Sequence, residues 1–213
     1  MKIRTFDDFS NALDNCFGWR KKEILNCRVL IATKGGLPDK TLLRAGIPLL
    51  YAHWEGAIKE SSKLLLSFIN SQKIELKSLK TCFIYLAITR HISEILETKQ
   101  SHVANSAIDL LTNRLNEKAF LQIDGAIKTD SNLNSDLFEN ITNTIGIDHT
   151  KYKHYSNLID LHLLKKRNEI SHGENKQISQ GDFMELSSKV LDILNLFKTD
   201  LENTAFTKSY LKE

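Results

Sequence analysis

Phe9, Leu13, Cys16, Ile24, Cys27 and Ile31 recur at intervals of three, four or their sum, and similar stripes return along most of the chain. That interval is the repeat of a helix with one buried face, so the stripes predict long amphipathic helices rather than strands. Turn residues agree. Only 9 glycines and 2 prolines occur in 213 residues, too few for the many turns of a sandwich or barrel.

The first helix starts at Thr5, whose hydroxyl and the Asp8 carboxylate three residues on form a capping-box pattern. Gly35-Gly36-Leu37-Pro38 stops it. A second helix is expected from about Asp39 to Ile69, with a break or kink at Gly46-Ile47-Pro48 and Leu50, Trp54, Ala57, Ile58, Leu65, Phe68 and Ile69 on its apolar face. A third runs from about Ser78 to Thr98 on Leu79, Cys82, Phe83, Leu86, Ile92, Ile95 and Leu96. A fourth, near Val103 to Asn116, turns Ala104, Ala107, Ile108, Leu111 and Leu115 inward.

Regularity lapses over residues 119–135, read as a short irregular insertion. Ala119 to Gly125 suits an extended piece, and the turn-rich run from Lys128 to Ser135 suits a mobile loop. A short helix from Asp136 ends before Gly146, and another leads from near Ser156 into a cationic segment. The last begins at Ser179, with Asp182 in the capping-box position and an Ile178–Phe183 staple. Its stripe is Phe183, Leu186, Val190, Ile193, Leu194, Phe197 and Leu201. With no repeat and no linker, the chain reads as one all-α domain over residues 1–213, a bundle of long antiparallel helices with an apolar stripe available to a partner subunit.

Hydrophobic residues at 41% and charged residues at 26% exclude a disordered chain. A net charge of +3 is low for a dedicated duplex-DNA binder but leaves room for a local basic patch. Cys16, Cys27 and Cys82 sit in apolar helical patterns and read as buried free thiols. No signal-peptide run opens the chain, and no segment approaches the roughly 18 apolar residues of a membrane span. A cytoplasmic location is the expectation.

The chemistry concentrates where the helix around Leu158, Ile159, Leu161 and Leu164 turns cationic at Lys165-Lys166-Arg167 and reaches Asn168-Glu169-Ile170-Ser171-His172-Gly173. Arginine offers a charged fork of donors that fits phosphate oxygens, and histidine exchanges protons near neutrality. RNA cleavage through the 2′-hydroxyl needs that combination: a group that takes the hydroxyl proton, one that protonates the departing 5′-oxygen, and a cation on the phosphate. Spacing adds a constraint. Five residues rotate about 500° along an α-helix, so Arg167 and His172 point about 140° apart while it stays regular. Either the helix ends near Gly173 and His172 swings back, or the same segment of a second chain completes the site. Taken alone, the pair is also what an ordinary helix end provides, a solvated cation and a histidine favoured by the helix dipole.

Leu158-Ile159-Asp160 through Arg167-Asn168-Glu169-Ile170-Ser171-His172-Gly173 resembles the signature helix of HEPN domains (higher eukaryotes and prokaryotes nucleotide-binding), with its Arg-polar-x3-His motif at a helix end. Leu49-Leu50-Tyr51-Ala52-His53-Trp54-Glu55-Gly56 resembles the early helix of one prokaryotic branch of HEPN-like nucleases. The likeness spans about Leu42 to Leu201 and is strongest over 42–100 and 150–201. It implies an all-α homodimer with its motifs facing each other, acting as a metal-independent endoribonuclease in a toxin–antitoxin or anti-phage system. A neighbouring antitoxin or sensor would restrain it. By matching position, Arg167 holds the scissile phosphate, His172 is general base or acid, and Asn168 orients either of them. In HEPN toxins silenced by nucleotidylation, a tyrosine stands two positions after the histidine. Glu174 stands there in this chain, so that control is not expected. Some HEPN domains lack catalysis and serve as RNA-binding or dimerisation modules, which is the second reading.

Two further sets of residues bear on the site. Glu55 and Lys59, four apart, fit a surface ion pair or a carboxylate reaching toward Arg167 and His172 in support. Lys153, Lys165 and Lys166, with Lys151, form a basic approach for RNA or a merely solvated face. His53 reads as a packed or interface histidine, and Arg90-His91 as a polar flank. His149, His154 and His162 match no metal-ligand spacing, and no cofactor motif occurs. The expected partners are RNA, a second copy and a regulator, without a membrane.

Overall fold

The computed structural model describes residues 3–33, 40–97 and 101–212, and their side chains except at 33, 90–97, 103, 104, 106, 107, 110 and 111. The stop at Gly35–Pro38, the Arg90–His91 flank and the inward assignments of Ile92, Ile95, Leu96, Ala104, Ala107 and Leu111 lie outside these.

The chain forms helices α1 (Phe6–Thr33), α2 (Lys40–Ser71), α3 (Thr81–Glu97), α4 (Ser101–Arg114), α5 (Ser135–Thr144), α6 (Lys165–Ser171) and α7 (Gln180–Phe206). It is all-α. The long helices α1, α2 and α7 pack on one another, α6 lies against α2, and α3 contacts α4 and α5. Both capping boxes form. The Asp8 amide donates to Thr5 Oγ1 and the Thr5 amide to Asp8 Oδ2, while Ser179 and Asp182 exchange the same pair of bonds. Each satisfies backbone donors that a helix start leaves open.

Every residue of the predicted stripes on α1, α2 and α7 is buried. Pro48 does not break α2, which runs unbroken from Lys40 to Ser71; burial on α1 and α7 offsets the one lost amide bond. Gly46 has a packing role instead, since an added Cβ would stand 2.6 Å from Phe183 Cε2. Ile108 of α4 points outward, 53% exposed.

The irregular stretch is tied down at its start, where Asn70 Nδ2 donates to the Leu121 carbonyl and the Leu121 amide donates to Asn70 Oδ1. Beyond α5, residues Thr150–Tyr155 form a 3-10 turn and Leu158–Leu164 a π-helix that runs into α6. The helix expected from near Ser156 into the cationic segment is present, with π geometry over Leu158–Leu164. A π-turn holds more residues than an α-turn, so it resets which side chains face inward just before Arg167.

His149 is buried, its Nδ1 lying 3.0 Å from Thr142 Oγ1. Burial lowers its pKa from 6.5; Lys153 adds to this, and Glu139 and Asp148 oppose it. The unfolded chain therefore takes up a proton that the folded one resists. The stability due to the neutral ring is complete above the unfolded value and is lost as pH falls through it. Thermal melts at about pH 7.5 and about pH 5.5 should show a loss of stability on acidification that is smaller in His149→Gln.

Candidate active site

Leu163 and Leu164 bury the end of the π-helix, and the chain then tightens into α6 with the Lys165 amide bonded to the Asp160 carbonyl. Asp160 also reaches outward. Its two carboxylate oxygens accept from the Ser135 amide at 2.7 Å and the Ser135 hydroxyl at 2.6 Å, fixing the start of α5 to the helix that carries Arg167.

One turn on, the Arg167 guanidinium lies over the Tyr51 ring of α2, 4.4 Å from its centre. That places a cation against an aromatic face. Nη1 donates to Asn168 Oδ1 at 2.6 Å and Nη2 to the Ser131 carbonyl at 2.9 Å. Asn168 Nδ2 donates to Asn132 Oδ1 at 3.2 Å. The adjacent Leu133 amide donates to the Tyr51 hydroxyl at 2.5 Å. The segment read as a mobile loop is thus anchored at Ser131, Asn132, Leu133 and Ser135. At its tip Asp130 and Ser131 have φ of +49° and +53°, conformations costing a non-glycine residue about 1–2 kcal/mol each.

The Tyr51 hydroxyl is pushed up to about 12, first by burial and then by the nearby Glu55 carboxylate, against the Leu133 amide and the Arg167 charge. It stays protonated at neutral pH. Glu55 lies near enough to act on the Tyr51 hydroxyl, and among the described residues no hydrogen bond or ion pair joins it to Arg167 or His172. Lys59 is exposed and forms no ion pair with Glu55 among the described residues.

His172 is the C-cap of α6. Its amide bonds to the Asn168 carbonyl, the Gly173 amide to that of Ile170 and the Glu174 amide to that of Glu169, with Gly173 at φ +84°. These bonds close the helix in a Schellman turn, which requires the left-handed residue glycine provides. The helix thus ends where the spacing argument needed an end. The imidazole is exposed, and among the described residues it makes no side-chain bond with Arg167 or any other group. Nothing lies within 4 Å of a Cβ added at Gly173, so Gly173→Ala probes the backbone alone. It should cost about 1 kcal/mol, read as a lower melting temperature, by forcing an L-residue into the left-handed region.

Beyond the turn, Arg44 of α2 donates through Nη2 to the Glu174 carbonyl at 2.8 Å and through Nη1 to Asn175 Oδ1 at 3.3 Å. Lys176 Nζ pairs with Glu169 Oε2 at 3.0 Å.

Residues 15–203 match the RiboL-PSP-HEPN family. The chain belongs to this HEPN family. HEPN domains act as nucleases or RNA-binding modules, and many are ribonucleases. No curated protein and no solved structure gives a significant match.

The remaining site residues scatter. Lys153 and Lys165 are exposed; Lys166 lines a small cavity with His162, Asp182, Glu185 and Lys189, where carboxylates offset its charge. Lys151 is neutralised by Asp200 at 2.6 Å, so it adds no free charge to a basic approach. His53 is buried with Nε2 2.9 Å from Glu23 Oε2 and its ring edge-on to Trp19, a packed histidine. Among the described residues no group of His, Cys, Asp or Glu could hold a metal ion, and no helix is long and apolar enough to cross a membrane.

Sequence reasoning missed Arg44, Tyr51, Ser131, Asn132 and Leu133. Arg44, Tyr51 and Glu55 carried a signal: spacings of seven and four put three polar groups on one face of an apolar helix. Ser131 carried none, because its role is a backbone carbonyl meeting Arg167 from 36 residues away.

Proposed function

We propose that the chain is a metal-independent endoribonuclease that acts as a homodimer, in the manner of a toxin or anti-phage effector held in check by a neighbouring antitoxin or sensor. The observation that carries this reading is the presentation of Arg167. A buried aromatic ring and Asn168 hold its guanidinium five residues before an exposed histidine, at a glycine-terminated helix end, in a HEPN chain.

In this reading a non-bridging phosphate oxygen takes the place of the Ser131 carbonyl on the Arg167 fork. One His172 accepts the 2′-hydroxyl proton as the oxygen attacks phosphorus. The partner's copy protonates the departing 5′-oxygen, and a 2′,3′-cyclic phosphate and a 5′-hydroxyl result. Arginine stabilises the charge on phosphorus as it develops. Lys153 and Lys165, both exposed, favour the approach of a polyanion.

Purified protein incubated with RNA in excess chelator should yield 2′,3′-cyclic phosphate ends. Cleavage that appears only when a divalent ion is restored overturns the mechanism. A second reading, a non-catalytic RNA-binding or dimerisation subunit, is favoured by the Ser131 carbonyl already occupying Arg167. It predicts RNA binding sensitive to Arg167→Ala and no cleavage under any condition.

A further inference from the structure

We infer that Arg44 and Tyr51 are positioning residues through which α2 sets the two halves of the site independently, Tyr51 placing Arg167 and Arg44 placing His172. The inference rests on the ribonuclease reading and adds a division of labour to it.

Arg44 and Tyr51 are seven residues apart on an unbroken helix, hence on one face and about 10 Å apart along its axis. Tyr51 is 2% exposed and supports the Arg167 guanidinium from below. Its hydroxyl also holds the Leu133 amide, and so the strand of loop whose Ser131 carbonyl bonds the same guanidinium. Removing the ring frees the cation to leave the plane in which it meets a phosphate.

Among the described residues Arg44 makes no hydrogen bond to Arg167 or to the loop. It clamps the Glu174 carbonyl and the Asn175 side chain, immediately past the turn that carries His172. The Schellman bonds of that turn fix the backbone from the helix side only. Arg44 ties that backbone to α2, and so bears on where an exposed imidazole with no side-chain hydrogen bond stands. A general base or acid displaced by about 1 Å loses about 10²-fold in rate, while phosphate affinity has no reason to change.

The test is a split between affinity and turnover in the full-length protein. An RNA oligonucleotide is used for kcat and KM, and its fully 2′-O-methylated form, which cannot be cleaved, for Kd. Arg44→Ala should lower kcat about 10²-fold and leave Kd within about twofold, with Arg44→Lys restoring part of the rate because one donor still reaches Glu174. Tyr51→Leu should raise Kd about tenfold, the loss expected for a partly buried cation–π contact. Tyr51→Phe keeps the ring and loses only the acceptor for Leu133, so it should bind nearly as wild type. If Tyr51→Leu does not fold, Tyr51→Phe and the Arg44 pair still decide. A wild-type kcat in Arg44→Ala, equal effects of Arg44→Ala on Kd and kcat, or a Tyr51→Phe defect as large as that of Arg167→Ala overturns the division of labour. Wild-type protein that neither binds nor cleaves RNA overturns the ribonuclease reading itself.

Discussion

His172→Ala is expected to abolish detectable RNA cleavage while leaving the fold and RNA affinity close to wild type. Each proton transfer by a positioned side chain contributes about 10²–10⁴-fold in rate. In a homodimer whose two His172 copies serve the two transfers, one substitution removes both. Stability should hardly move, because the imidazole is exposed and the helix end is closed by backbone bonds and Gly173. Affinity should hold because the proposed mechanism gives the phosphate contact to Arg167. Gel assays of cleavage, with binding to the 2′-O-methyl oligonucleotide in parallel, separate the two. Cleavage that survives in His172→Ala removes the histidine from the mechanism. A mixed dimer sharpens the result. If each site needs a histidine from both protomers, mixed wild-type and His172→Ala dimers lose activity with the mixed species, whereas independent sites lose it in proportion to the mutant fraction.

Much of this was legible in the chain because helices announce themselves locally. The stripes of α1, α2 and α7 needed only their own spacing, and the boxes at Thr5 and Ser179 only a residue three positions on. The Arg167-to-Gly173 geometry was legible for the same reason: the turn is closed by bonds among residues 168 to 174. What surrounds that segment was not. The π-helix depends on burying Ile159, Leu163 and Leu164 at once, and periodicity cannot distinguish that from α-helix over seven residues. The Ser131 carbonyl on Arg167 and the Asp160 clasp on Ser135 join segments 36 and 25 residues apart. Their acceptors and donors carry no pattern until the fold brings them together. At Pro48 a local rule about proline allows a break or a kink, and burial along the rest of α2 keeps the helix continuous.

The second large effect is on stability. Trp54→Ala should cost about 3–5 kcal/mol, the range for emptying a large aromatic from a core. At about 2–4 °C per kcal/mol for a chain of this size, the melting temperature should fall by roughly 10 °C or more. Trp54 is fully buried on α2, and its ring meets Phe138 of α5 edge-on at 4.9 Å between centres. Phe138 in turn packs edge-on against His149, Tyr152 and Phe197. The cavity would therefore open at an aromatic cluster that ties α2 and α7 to α5, a helix of only 10 residues. Such a helix is not stable alone and takes its order from packing. Loosening it loosens Ser135 at its start, and with Ser135 the loop whose Ser131 carbonyl meets Arg167. Because a phosphate oxygen displaces that carbonyl in the proposed mechanism, Trp54→Ala should leave the RNA affinity of the folded protein close to wild type. Trp54→Phe, which keeps an aromatic edge for Phe138, should recover most of the lost stability. Thermal melts and RNA titrations on the two variants decide it: a large loss of affinity in a folded Trp54→Ala would show that Arg167 depends on the loop, and with it on α5, to hold RNA.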